Sequence, residues 1–265
     1  MGLPGFARQG AALLIQGQSP AAQTGIHKLD KHLTDLAVVI PVYNEEKNIR
    51  ECIESWLHVL TDLEIHYLLI VLNDGSRDRT QQVLSEFSQN KSIQVVNKAN
   101  EGHGPTILRG YHIAAGLAEW VFQIDSDNEL PAETFHTFWN ARHDKNAVLG
   151  FRVGREQSFV RKIISRTAKI STSMLYKCHH KDVNIPYRLI RSDDLIPIIS
   201  HIPHDTFAPN IAISGALAKT GAAVSELPVP FEPRAHGVAS LTDFSAFTNA
   251  VKSLIQLARI SRSFS

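Results

Sequence analysis

Apolar positions in the first half of the chain alternate between two periods. Residues 36–41 are apolar without a break and rich in β-branched side chains, as in a strand buried on both faces. Ile49, Cys52, Ile53, Trp56, Leu57 and Leu60 then recur at helical spacing. Asn44, Glu45 and Glu46 precede them and suit a helix N-terminus, so a helix is expected over 44–62. The alternation continues with strands over 67–72, 92–96 and 121–124 and helices over 80–89 and 106–120. Asn73-Asp74-Gly75-Ser76 is a turn signal after the second strand. Strand and helix in regular alternation predict an α/β fold with a mostly parallel central sheet flanked by helices on both faces.

After residue 131 the order is less regular. A helix over 133–143, a strand over 146–151, a polar loop over 153–157 and a helix over 159–176 are expected. A strand-like run over 183–190, a helix over 210–219, a strand over 223–227 and a tail helix over 244–260 follow. No segment is rich enough in Gly, Ser or Pro to divide the chain, so 34–243 reads as one domain with halves at 34–131 and 132–243. The first 33 residues differ in composition and read as a variable arm or a homo-oligomer contact; 244–265 is the tail.

Composition narrows the classes. Of 265 residues, 43% are hydrophobic and 20% charged, with a net charge of +1, which excludes a disordered chain and gives no electrostatic footprint for nucleic acid. Two cysteines cannot build a disulfide framework, which points to a reducing, cytoplasmic setting. The apolar runs are far shorter than the roughly 20 residues of a membrane span.

Four acidic positions fall just past expected strand ends, where an open parallel sheet places ligands. They are Glu45, Asp74, Asp125 and Asp127. In Asp125-Ser126-Asp127 the two carboxylates, two residues apart, point the same way at a strand end and can grip one hard cation, Mg²⁺ or Mn²⁺, shared with substrate phosphates. Glu129 is a candidate third ligand. The same spacing also suits a plain surface turn. Asp74 can accept the ring N–H groups of a base, and Tyr43 can stack on one, though Asp in a turn and Tyr near a strand end are both ordinary. Arg152 and the Arg161-Lys162 pair offer donors to phosphate, or a solvated face. Asn100-Glu101-Gly102-His103-Gly104-Pro105 is a Gly-rich loop before a helix, but matches neither a dinucleotide fingerprint nor a Walker loop. Cys178-His179-His180 with Asp182 is too short a stretch to supply several ligands to one zinc ion.

These segments, in their order along the chain, resemble a family 2 glycosyltransferase of the GT-A fold: Pro41-Val42-Tyr43-Asn44-Glu45, Asn73-Asp74-Gly75-Ser76-Arg77-Asp78-Arg79-Thr80, Asn100-Glu101-Gly102 and Asp125-Ser126-Asp127. Gly150-Phe151-Arg152, Arg161-Lys162-Ile163-Ile164-Ser165, Asp182 with Tyr187-Arg188-Leu189-Ile190-Arg191, and Glu226 to Phe231 with Arg234 and Gly237 resemble the dolichyl-phosphate mannosyltransferase branch. The resemblance implies an inverting transfer from a UDP- or GDP-linked sugar with Mg²⁺ or Mn²⁺, to a lipid-phosphate or saccharide acceptor, in cell-surface polysaccharide or glycolipid synthesis. It implies that Pro41, Tyr43, Glu45 and Asp74 hold the nucleoside and that Asp125 and Asp127 meet ribose and metal. Glu129 stands where the branch often has a metal-binding Gln. Arg152 and Arg161 would hold phosphates, and Asp182 is a candidate base near the acceptor. Residues 34–131 would then be the nucleotide-binding half and 132–243 the acceptor half. Two departures, Glu129 for Gln and Ala239-Ser240-Leu241 without the branch's Lys, weigh against a polyprenyl-phosphate acceptor and leave the donor half intact.

Phe247, Val251, Leu254, Ile255 and Ala258 can form one apolar face of the tail helix. That face suits peripheral contact with the cytoplasmic membrane face, or equally packing on the domain or against a partner subunit. A sugar nucleotidyltransferase would need a Gly-rich, basic loop after the first strand, and the segment after Ile40 is acidic instead. A non-catalytic nucleotide-sugar-binding module would have no need of the acids and arginines that are present.

Overall fold

The computed structural model describes residues 33–154, 170, 172–233 and 243–264; Arg161, Lys162, Arg234, Gly237 and the arm at 1–32 lie outside the described residues. The strands are β1 (Thr34–Val42), β2 (Tyr67–Asp74), β3 (Ile93–Lys98), β4 (Ala118–Ile124), β5 (Ala147–Val153), β6 (Tyr187–Arg191) and β7 (Val224–Pro230). The helices are α1 (Ile49–Asp62), α2 (Thr80–Ser85), α3 (His103–Ala115), α4 (Phe135–Asn140), α5 (Ser192–Ile199), α6 (Pro209–Lys219) and α7 (Asp243–Arg262). A 3₁₀ turn, Ala132–Thr134, leads into α4.

The strands make one sheet in the order β3-β2-β1-β4-β6-β5-β7. Its pairs are parallel except β4 with β6 and β5 with β6, which are antiparallel. The mostly parallel sheet is therefore as the alternation predicts, and β6 is the one inverted strand among those described. Alternate residues of β1 feed two cores. Ala37 and Val39 join the cluster that includes α3, α5 and α6, while Leu36, Val38, Ile40 and Val42 join the one under α1 and α4. The second core centres on aromatic rings: Phe122 lies 4.7 Å from Phe135 and 4.8 Å from Tyr187, both edge-on, and Trp56 lies 5.2 Å from Phe122. Such edge-to-face pairs add roughly 0.5–1.5 kcal/mol each to the burial itself. On the other face α3 rides close to β1 because Gly110 leaves room. A Cβ there would stand 2.3 Å from Val39 Cγ1.

Several boundaries differ from the sequence expectation. α1 begins at Ile49, not Asn44, because Asn44 adopts a left-handed backbone (φ 54°) that turns the chain out of β1. Ala118 to Trp120 belong to β4, where parallel pairing to β1 overrides their helical spacing. α2 stops at Ser85. α5 has no counterpart among the expected elements; it carries Pro197 in its interior and is held by burial of Leu195, Ile198 and Ile199. In α7 the buried face is Ser253, Leu257, Ile260 and Ser261, whereas Ile255 is 51% exposed. The packing alternative is thus the one seen over this part of the tail, with a face turned from the expected one; Phe247 and Val251 lie outside the described side chains.

Candidate active site

The carboxyl ends of β1, β2, β3, β4, β5 and β7 and the start of β6 share one edge of the sheet, as the registers Val42↔Asn73, Asp74↔Lys98, Ile124↔Tyr187 and Val153↔Pro230 require. Side chain–backbone bonds lace the loops along it. Beyond β1, Asn44 N–H donates to Ser76 Oγ (3.0 Å) and Asn44 Oδ1 accepts from Arg77 N–H (2.8 Å). Glu45 N–H donates to Thr80 Oγ1 (2.8 Å), and Glu46 N–H to Asp78 Oδ2 (3.1 Å). Glu45 Oε2 accepts from Asn48 Nδ2 at 2.6 Å. Burial pushes the Asp78 carboxyl up, but hydrogen bonds from the Thr80 hydroxyl, Thr80 N–H and Glu46 N–H outweigh it and hold the group below its ordinary value. Tyr43 stands at this edge 40% exposed, and Pro41 is buried inside β1. Pro41 lies past the β1–β4 ladder, which runs to Val39↔Gln123, so its missing N–H leaves that ladder intact.

Asp74 ends β2 with its side chain 4% exposed. Its carboxylate accepts from Lys98 Nζ, Glu101 N–H (2.9 Å) and Gly102 N–H (2.9 Å). Burial raises its pKa, but the bond from Lys98, the Glu101 N–H and the Lys98 charge together hold it below the ordinary value. Three donors of its own chain thus fix the orientation of the carboxylate expected to accept from a base, and its two oxygens, with about four acceptor sites, are not exhausted by them. It anchors the loop before α3. Gly75 beside it has φ +66°, and a Cβ there would stand 2.7 Å from Asn100 N. Lys98, which the sequence reading did not single out, also reaches Thr106 Oγ1 (3.1 Å) and Glu101 (3.2 Å).

Asp125 and Asp127 follow β4 differently. Asp125 is 26% exposed; its Oδ1 accepts from Gln123 Nε2 (3.1 Å) and lies 3.5 Å from His103 Nε2. Asp127 Oδ1 accepts the Glu129 N–H at 3.2 Å. Glu129 O accepts Glu232 N–H (2.9 Å), tying this turn to the segment after β7. Among the described residues no group of three or more His, Cys, Asp or Glu side chains is gathered to hold a metal. The oxygen donors of Asp125 and Asp127 fit a hard cation that takes its other ligands from a diphosphate and water. At the far side of the edge Arg152 Nη1 pairs with Asp182 Oδ2 at 3.0 Å, and Asp182 Oδ1 accepts Asn184 N–H (3.3 Å). The two residues expected at phosphate and acceptor thus meet each other.

A mostly parallel sheet with acids at its carboxyl edge and an inverted strand beside β4 is the GT-A architecture of nucleotide-sugar transferases. The chain belongs to glycosyl transferase family 2, whose family model matches residues 37–208. An uncharacterized protein of Methanocaldococcus jannaschii is 30% identical over 78% of this chain and 92% of its own length. An undecaprenyl-phosphate 4-deoxy-4-formamido-L-arabinose transferase of Edwardsiella ictaluri is 26% identical over 78% of this chain. An uncharacterized glycosyltransferase of Synechocystis is 37% identical over 42% of it. The chain spans 63% of the Edwardsiella protein and 36% of the Synechocystis one. Glucosyl-3-phosphoglycerate synthase of Mycobacterium tuberculosis, solved with Mn²⁺, UDP and phosphoglyceric acid, superposes with a TM-score of 0.63 at 18% identity, covering 86% of this chain and 78% of that one.

Proposed function

We propose that the chain is an inverting glycosyltransferase that moves a sugar from a UDP- or GDP-linked donor to a lipid-phosphate or saccharide acceptor, in cell-surface polysaccharide or glycolipid synthesis. The observation that carries this reading is the single sheet edge. It gathers an exposed Tyr43, the acids Asp125 and Asp127, and the Arg152–Asp182 pair, from segments as far apart as β1 and the start of β6. Tyr43 stacks on the base, and the interlaced 43–48 and 75–80 loops frame the nucleoside. Asp125 and Asp127 hold ribose and Mg²⁺ or Mn²⁺, with Glu129 beside them. Such a cation would neutralise charge on the departing diphosphate. Arg152 sits where it can meet a phosphate, and Arg161 is assigned the same role.

Transfer forms a bond from the acceptor oxygen to the anomeric carbon as the bond to the diphosphate oxygen breaks, with inversion. A hydroxyl acceptor must lose its proton, and Asp182 is the carboxylate placed to take it once the acceptor reaches the Arg152–Asp182 pair. A phosphate acceptor arrives ionised, and Arg152 and Asp182 then position it. The relatives named as undecaprenyl-phosphate transferases favour the phosphate case. Among the described residues no helix is long and apolar enough to cross a membrane. Ile255 on α7, next to Gln256 that holds the Phe207 N–H (3.0 Å), offers a small apolar surface for peripheral membrane contact.

Calorimetry with UDP and GDP, with and without Mn²⁺, tests the donor half. Binding of one nucleotide that strengthens with Mn²⁺ is expected, and no metal-dependent binding of either overturns the reading. A donor screen read as released nucleoside diphosphate then identifies base and sugar.

A further inference from the structure

A buried chain of polar groups leads from Asp125 into the core. Arg188 on β6 is 0% exposed and lies directly across from Gln123 on β4 in an antiparallel register, so the two side chains share a face. Neutral oxygens hold its guanidinium. Nε donates to Ile185 O (3.1 Å), Nη1 to Asn210 O (2.9 Å), and Nη2 to Val183 O (3.2 Å) and Ser214 Oγ (2.9 Å). The Tyr111 hydroxyl lies close enough to feel the Arg188 charge. Tyr111 in turn donates to Asn210 Oδ1 (3.1 Å), Asn210 Nδ2 to Gln123 Oε1 (2.9 Å), and Gln123 Nε2 to Asp125 Oδ1 (3.1 Å).

The direction of this chain follows from Asp125. A carboxylate can only accept. Gln123 must therefore turn its Nε2 toward Asp125 and its oxygen inward. Asn210 then presents Nδ2 to Gln123, which leaves its Oδ1 for the Tyr111 hydrogen. Every dipole is aligned, and an N–H ends on Asp125. At its other end Arg188 grips the carbonyls of Val183 and Ile185, next to Asp182 in the chain.

We propose that Arg188, Tyr111, Asn210 and Gln123 are positioning residues that hold Asp125 in one orientation for the nucleotide–cation complex and set the segment bearing Asp182 in register with it. This rests on the reading of Asp125 given under the proposed function. Two variants of the full chain test it. Gln123→Met deletes the amide at similar volume. Asn210→Asp replaces the donor facing Gln123 with an acceptor, which forces the Gln123 amide to turn its oxygen toward Asp125, while Arg188 pairs with the added charge. The readout is the gain in UDP or GDP affinity on adding Mn²⁺, beside a thermal melt. Loss of packing alone lowers the melt and leaves that ratio unchanged. In both variants the gain is expected to fall at least about tenfold, as for other residues that orient a metal ligand. If either exchange abolishes the cooperative melt, Tyr111→Phe removes one hydroxyl at little change in volume, and its gain is expected to fall about threefold. A gain within about twofold of the parent in every folded variant overturns the positioning role. No gain in the parent overturns the reading of Asp125 itself, and the positioning role with it.

Discussion

Asp74 and Asp125 both stand at the ends of parallel strands on one edge of the sheet, yet they face opposite demands. Asp74 is 4% exposed and accepts from a buried lysine and two backbone N–H groups. Asp125 is 26% exposed and accepts from one buried amide, with His103 nearby. The first is neutralised by its own chain and shapes the loop before α3. The second keeps oxygen surface at the edge where a cation and a substrate can reach it. A carboxylate held by several internal donors contributes to stability. One that is partly exposed and held by few donors keeps oxygen surface that a ligand's donors or a cation can meet.

Perturbing each side in turn tests that contrast. Asp127→Ala should lower turnover by roughly 10²–10³-fold, the usual scale for loss of one group stabilising transition-state charge. Its melting temperature should stay close to that of the parent, and full activity would remove the assigned role. Asp74→Ala should, unlike Asp127→Ala, lower stability. It leaves Lys98 buried without its closest partner, so urea denaturation is expected to show about 3 kcal/mol less stability. A stability loss near zero would mean that Glu101, 3.2 Å from Lys98, satisfies it together with Thr106 Oγ1 and Ala99 O. Asp182→Asn should lower kcat about tenfold with little change in KM; a defect confined to KM would make it an acceptor-positioning residue instead.

Acid sharpens the same contrast. Asp74 and Asp78 are both held below the ordinary carboxyl value of 3.8 in the folded protein. The stability they lend is therefore complete above that value and is lost as pH falls through their lower folded values. Denaturation midpoints followed from neutral pH to below 3.8 should drop, and Asp74→Asn should flatten the drop. Ser76→Ala, which removes only the acceptor for Asn44 N–H, should cost about 0.5–1 kcal/mol.

The edge itself was legible because each contributing segment carries a local signature. A buried β-branched run followed by Asn-Glu, Asn-Asp-Gly-Ser or Asp-Ser-Asp marks a strand end that bears acids, and those signatures place Tyr43, Glu45, Asp125 and Asp127 correctly at the sheet's carboxyl edge. Ser76, Asp78 and Thr80 lay within a segment already marked, though nothing local showed that they bond the loop after β1. Lys98, Gln123 and Asn210 gave no signal, and Arg188 stood out only as part of a family segment. Each reads as an ordinary polar residue in its own segment, and its importance comes from a partner 8 to 87 residues away.

By itself, then, the sequence determined the alternating α/β architecture, the carboxyl-edge acids and the family. Those follow from periodicity and short motifs, which are properties of neighbouring residues. Only the tertiary structure decided that β6 enters antiparallel beside β4, that Asp74 pairs with Lys98, that Arg152 pairs with Asp182, and that α7 buries Leu257 and Ile260 rather than Ile255. These depend on which strands become neighbours and in what register. Burial decides that for the chain as a whole, because a buried polar group must find its partner wherever the fold brings one.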